Sequence, residues 1–422
     1  MQRMLIIGAV LAVAMMVFLS GLGTEIGGNK ETKLYIGCWS ASPVETDLIN
    51  RQIALFEKAH PGVKVKLETV TGSYDTYIQT NIAAGTEPDV FYLEPQETYV
   101  YASRGLVLPL DKYIPKEIID DFYPNLLAAF SYDGHVYGLP KDFNPLIMYY
   151  NKEMFKTAGI VQFPKTWTEL LAACEKLKQA GATGALGDSF RKPMIVDSFV
   201  YPYIVQAGGQ VYDEQANKLV FNSPESLAGF KFFYETLFRD KKYAAEAKTL
   251  GSSGGIGALV EKKTAIVCSG GWSMTGLQRM APDWDYGTAV LPAGKQMGGI
   301  MFTTAYAIGK NSKHPELAAE LIRTLTGPEC EKMTAAVGLA VPPLKSLEHF
   351  YRTTYPRSAP LVEMTPYCIT NTFGKKARLV MNEIDKVTGK FVAAPEADIA
   401  LAVNQAYETI KKADAGDKEY NW

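Results

Sequence analysis

At 422 residues the chain exceeds what one ordinary core organises, so two or three domains are expected. Hydrophobic residues make up 47% and charged residues 21%, the make-up of a folded globular protein. The 43 basic and 45 acidic residues nearly cancel, which gives no footing for a nucleic acid or an anionic membrane surface as partner.

The chain opens with Arg3, an apolar run from Leu5 to Leu19, and the small residues Ser20, Gly21 and Gly23. That pattern predicts a secretory signal over 1–23, with an uncleaved N-terminal anchor as the alternative. Leu22 stands where a lipoprotein signal needs cysteine, so no lipid anchor forms there. A polar linker over 24–32 follows. Leu34 to Trp39 reads as a strand, and Val44, Leu48, Leu55 and Phe56 as one face of a helix stopped by His60-Pro61-Gly62. Val63, Val65 and Leu67 alternate with charged residues, a strand with one wet face. A helix over Tyr74 to Ala84 ends at Gly85, and Val90 to Leu93 is a third strand ending at Glu94-Pro95. This alternation predicts a largely parallel α/β unit.

Asp133-Gly134 is a tight-turn pair between short strands. Leu146 to Tyr150 is an apolar strand in which alternation sends Tyr149 and Tyr150 to opposite faces, a structural role. Thr166 with Glu169 forms a capping box. Ser223-Pro224 opens another helix. Strands are expected at Thr264 to Val267, Asp285 to Pro292 and Tyr306 to Ile308. Helices follow from Pro315 to Leu325 and from about Asp398 to Lys412. The five cysteines, Cys38, Cys174, Cys268, Cys330 and Cys368, are scattered and read as small buried residues rather than a disulfide framework.

Motifs for catalysis are poor. Gly251-Ser252-Ser253-Gly254-Gly255 matches Gly-x-Ser-x-Gly, but Ala244 to Leu250 before it does not read as a strand, so a flexible loop is expected instead of a nucleophile elbow. His60, His135, His314 and His349 are isolated and show no metal-ligand spacing. Gly255 and Gly257 lack the rest of a dinucleotide fingerprint. No catalytic residue, metal or cofactor is assigned. Binding is the better prospect. Open α/β sheets hold ligands beyond the carboxyl ends of their strands, and there Trp39-Ser40 and Glu94 stand. Trp39 reads either as a core residue or as a stacking platform. Tyr74 and Phe373, aromatics at helix ends, are weaker candidates.

Tyr132-Asp133-Gly134-His135-Val136-Tyr137-Gly138-Leu139-Pro140, Tyr149-Tyr150-Asn151-Lys152 and Pro164-Lys165-Thr166-Trp167 keep one order along the chain. So do His60-Pro61-Gly62-Val63-Lys64-Val65, Ala83-Ala84-Gly85 with Pro88-Asp89-Val90, and Gly105-Leu106 with Pro109-Leu110-Asp111. This wording resembles the family 1 extracellular solute-binding proteins, the maltose-binding-like receptors of ABC importers, over nearly all of residues 33 to 412. The resemblance implies an α/β two-lobed periplasmic-binding-protein fold whose chain crosses between lobes three times, near Pro140–Pro145, Val290–Pro292 and Thr326–Pro328. Lobe 1 would then hold 33–143 and 292–326, and lobe 2 would hold 144–291 and 327–422. It places a polar ligand contact at Asn144 and aromatic contacts at Tyr201 and at Trp272 after its Gly-Gly pair; Asp142 and Phe143, beside Asn144 at the first crossing, are candidates by position. Asn144 replaces a position commonly acidic in the maltose-binding branch, keeping hydrogen bonding without the charge. The implied function is an extracytoplasmic, monomeric receptor. It would bind a mono- or oligosaccharide in the interlobe cleft and deliver it to membrane permease subunits. The alternatives are a receptor for glycerol-phosphate esters, a sensor feeding a signalling partner, and last an extracellular hydrolase.

Overall fold

The computed structural model describes residues 31–40, 42–188, 197–246, 249–252, 254–338 and 340–422. The expected signal over 1–23 lies outside them, as does Ser253. Two sheets organise the chain. The first begins as the sequence predicts: β1 (Thr32–Cys38), α1 (Pro43–Ala59), β2 (Val63–Thr69), α2 (Tyr74–Ala84), β3 (Val90–Leu93) and α3 (Pro95–Ser103). β1 pairs in parallel with both β2 and β3. Local chemistry sets the boundaries. Ser42 and Ser73 accept the N–H bonds of Glu45 and Thr76 at the starts of α1 and α2, and Gly85 closes α2 in the left-handed conformation at φ 68°.

The hairpin at Asp133-Gly134 forms with positive φ at both residues and leads to β4 (Leu139–Pro145). β5 (Ile147–Asn151) follows after one residue but belongs to the second sheet. Tyr149 is buried there, while Tyr150 packs on Phe155 and Phe163 at 4.7 and 5.0 Å. The Thr166 cap also forms: its hydroxyl accepts from Glu169 N at 3.2 Å, and the Glu169 carboxylate accepts from Lys165 N at 2.6 Å. It opens α4 (Trp167–Gln179). The second sheet is completed by β6 (Gly184–Asp188), strand Ala244–Glu246, β7 (Thr264–Ser269) and β8 (Tyr286–Ala289). Helix α5 (Asp197–Gln206) packs nearby, and α6 (Trp272–Met280) begins three residues after β7. The strand at Ala244–Glu246 corrects the expectation that this segment is not strand-like. It gains its place by parallel pairing with β6, a long-range contact that its weak local pattern does not announce. Gly255, expected in the loop, instead opens a short helix, Gly255–Val260.

β9 (Gly299–Gly309) returns to the first sheet, antiparallel to β3 and β4, and its 11 residues make it the longest strand described. The first two crossings therefore fall at Leu146, between β4 and β5, and between β8 and β9. The third does not fall at Thr326–Pro328. Gly327 only joins α7 (Pro315–Leu325) to α8 (Pro328–Ala336), and both pack on α1. Gln52 of α1 donates to Cys330 O at 3.0 Å and to the Thr334 hydroxyl at 3.1 Å, while Leu344 and Leu347 enter the core of Leu34, Ile36 and Phe56. A Gly-Pro break marks a helix end, and here it marks no more than that. The later helices α9 (Ala377–Ala393) and α10 (Ile399–Asp414) pack on the second body, against α5 and helix Pro224–Lys231.

A buried carboxylate gathers part of the C-terminal tail. Asp414 is fully buried and accepts from Glu419 N and Tyr420 N, both at 3.1 Å, and from Trp422 Nε1 at 2.9 Å; Lys376 Nζ lies 3.1 Å away. Burial alone would raise its pKa, but these donors prevail and hold it below the usual carboxylate value. A depressed folded pKa gives stability that is present above the unfolded value of about 4 and is lost as pH falls through the folded one. Asp414→Ala is expected to cost about 1.5–3 kcal/mol at neutral pH. That penalty should shrink on acidification, as read from urea midpoints at pH 7 and below pH 4. An equal penalty at both pH values would show that the charge is not what anchors the tail.

Candidate functional site

β4 and β9 form a two-stranded ribbon at the junction of the two bodies. Their register pairs Asn144 with Phe302 and Asp142 with Thr304, so these four side chains share one face. Against that face the second body sets the turn after β7. Gly270 and Gly271 are required there. A Cβ on Gly270 would stand 2.3 Å from the Trp272 ring, and one on Gly271 would stand 2.5 Å from Asn144 Oδ1. Tyr149 donates to Gly270 O at 2.8 Å and fixes the turn. Trp272 then stands at the head of α6, 38% exposed, edge-on to Phe302 with ring centroids 5.6 Å apart. Asn144 is 7% exposed and its Oδ1 is a buried acceptor without a hydrogen-bond partner. An orphaned acceptor next to an exposed indole has the form of a place for a hydroxyl-bearing ligand.

Asp142 shares this face but is engaged by the Lys141 ammonium, and Thr303 Oγ1 donates to its carbonyl at 2.7 Å. Lys141 Nζ also lies 3.5 Å from Glu45 Oε1 and 5.2 Å from the centre of the Tyr92 ring. Burial disfavours the ammonium, yet Asp142 and Glu45 more than offset it and raise the lysine pKa. Glu331 of α8, buried in the same cluster with an unpartnered Oε2, is pushed far up by burial, with Asp142 adding and Lys141 opposing.

The other expected contacts divide. Trp39 is half-buried and sits edge-on to Tyr74 and Tyr92, both at 4.7 Å, which ties most of its ring into the first core. Ser40 is a turn residue: its hydroxyl donates to Ser42 O at 2.7 Å and accepts from Thr46 Oγ1 at 2.8 Å, beside a shallow depression at the start of α1. Glu94 ends β3 as expected and faces Arg378 Nη2 at 3.5 Å. Burial raises its pKa against the pull of Arg378. Four of the expected contacts are engaged in packing or bracing. The Tyr74 hydroxyl accepts from Tyr92 N at 2.8 Å and lies 3.1 Å from Gly37 O, so it braces β1 against β3. Phe143 is fully buried against Tyr123, because strand alternation turns it away from Asn144. Tyr201 and Phe373 are buried and pack on each other at 5.3 Å. Phe302 and Arg378 were not anticipated. Phe302 becomes visible only through its register with Asn144, and Arg378 through contacts some 280 residues away in sequence.

A cavity of about 740 Å³ lies where helix Pro124–Ala128 faces residues 208–215 and 368–373. It reaches Met301, which alternation places on the opposite face of β9 from Phe302. Trp272, Asn144 and Asp142 do not line it. Among the described residues no group of His, Cys, Asp or Glu has the arrangement of a metal site, and no helix is long and apolar enough to cross a membrane.

Two α/β bodies joined by a strand ribbon define a two-lobed fold of the periplasmic-binding type. The sequence profile of the bacterial extracellular solute-binding proteins matches residues 42–331, and the chain belongs to that family. Its place is therefore extracytoplasmic. A binding protein of Brucella abortus is 28% identical over 280 residues, 63% of this chain and 65% of the relative. A maltotriose-binding protein of Pyrococcus abyssi is 28% identical over 216 residues, 51% of this chain and 44% of the relative. The chain thus spans less than two thirds of either relative. Among solved structures, an ABC substrate-binding protein of Listeria monocytogenes in complex with cycloalternan superposes with a TM-score of 0.79 at 22% identity, covering 91% of this chain and 99% of that one.

Proposed function

We propose that the protein is the substrate receptor of an ABC importer. It captures a neutral mono- or oligosaccharide between its lobes and presents the closed, loaded form to membrane permease subunits. The observation that carries this reading is the pairing of Trp272 with the orphaned Asn144 Oδ1 at the ribbon. A sugar ring offers an apolar C–H face for the indole and hydroxyl donors for the amide oxygen. The maltotriose-binding relative supports the same ligand class. Asp142, on the same ribbon face as Asn144, is a further polar group. Ligand that touches both lobes only when they approach stabilises the closed state. The receptor performs no covalent chemistry in this reading, works as a monomer, and leaves the cytoplasm on the signal over 1–23.

A thermal-shift screen of the chain without residues 1–23 tests this. Neutral oligosaccharides are expected to raise the melting temperature, because a ligand of the folded state adds stability by mass action. A panel in which phosphate esters or amino acids stabilise the protein and no sugar does would contradict it.

A further inference from the structure

Arg378 joins the two lobes away from the ribbon. It lies in the first turn of α9, whose Val380, Ile384, Val387 and Phe391 are built into the second core. Its guanidinium reaches out of that lobe to three carboxylates of the first. Nη1 lies 3.0 Å from Asp75 Oδ2, Nη2 lies 2.9 Å from Glu97 Oε1 and 3.5 Å from Glu94 Oε2, and Nε donates to Glu97 at 3.0 Å. Asp75 and Glu97 occupy the first turns of α2 and α3, where the helix N-terminus favours their negative charge. Close by, Lys375 sits over the ring of Tyr99 in α3 at 5.2 Å, and Glu419 of the second lobe holds the same ammonium at 2.6 Å. The seam thus carries cations from one lobe and carboxylates with an aromatic face from the other.

We infer that Arg378 is a closure latch: a positioning residue that holds the lobes together through Asp75, Glu94 and Glu97 and sets how much of the ligand-free protein is closed. Without the guanidinium, the three carboxylates of the first lobe stand against the second lobe with no countercharge, and opening the seam lets water solvate them. The latch acts on the hinge equilibrium and not on the ligand, so it changes the fraction of receptor competent to bind. Arg378 and its partners Asp75 and Glu94 are each about one-third exposed, so high salt should loosen them.

Its purpose rests on the receptor reading, but its test uses no ligand, so a failed sugar screen leaves it standing. Small-angle X-ray scattering of the ligand-free protein reads the lobe separation. At low salt Arg378→Ala is expected to have a larger radius of gyration than the wild type. One molar NaCl should move the wild type toward that value and leave the variant where it is. The charge swap Arg378→Glu with Glu97→Arg should lie closer to the wild type than either single change. Circular dichroism establishes that each variant is folded, and Glu97→Gln substitutes for any that is not. Superposable scattering from wild type and folded Arg378→Ala at low salt, with no response of the wild type to NaCl, would overturn the latch.

Discussion

Trp272→Ala is expected to remove most of the stabilisation that a bound sugar gives the protein, while changing the ligand-free stability little. Trp272 is 38% exposed, and its ring contact among the described residues is edge-on to Phe302. A buried core tryptophan would cost about 3–5 kcal/mol on truncation, but a ring that leaves much of its surface free forfeits far less. On the ligand side the expectation reverses. At a concentration of about 100 times Kd, a ligand adds about 2.7 kcal/mol. Loss of an aromatic anchor worth about 2–2.7 kcal/mol weakens binding up to roughly 100-fold and leaves only a few tenths of that gain. Melting curves of both proteins, with and without the same sugar, separate the two effects. A variant much less stable alone, yet shifted by sugar as strongly as the wild type, would make Trp272 a structural residue.

Lys141→Met is expected to be the most destabilising substitution at the ribbon, by about 3–5 kcal/mol. The lysine is almost wholly buried between Asp142, Glu45 and the Tyr92 ring, and its removal leaves buried carboxylates without a countercharge. The cost lies in those orphaned charges, so adding Glu45→Gln and Asp142→Asn to Lys141→Met should recover much of the loss. The direction of the pKa fixes the pH dependence. Because Asp142 and Glu45 raise the folded pKa above the unfolded one, the stabilisation is complete at neutral pH and fades only as strongly alkaline pH approaches the folded value. Urea midpoints of the single and triple variants decide the matter. A loss under about 1 kcal/mol in the single variant would show that packing, not charge, organises the cluster.

Much of the architecture could be read from local chemistry. The Thr166 cap, the left-handed Gly85 and the Asp133-Gly134 turn each follow from the residue present, and each forms. What failed was information that pairing supplies. Ala244–Glu246 is a strand only because β6 lies beside it, and the third crossing lies beyond Gly327 because Gln52 holds α8 to the first lobe. The site divides in the same way. Trp272 and Asn144 carried their own signals, a Gly-Gly approach and a position at the crossing. Phe143, between Asp142 and Asn144, was swept in by proximity, yet period-two alternation alone turns it inward. Tyr201 and Phe373 are aromatic and near helix starts, which in this fold describes core residues equally well. Arg378 gave no local sign, since its partners are contributed by α2, by α3 and by the end of β3.

The most direct measurement is titration calorimetry of the mature protein with neutral oligosaccharides, followed by analysis of the recovered sugar. The proposal predicts saturable binding of one sugar per chain, lost in Trp272→Ala, with the sugar recovered unchanged. Binding that survives intact in Trp272→Ala, or recovery of a cleaved sugar, would contradict it.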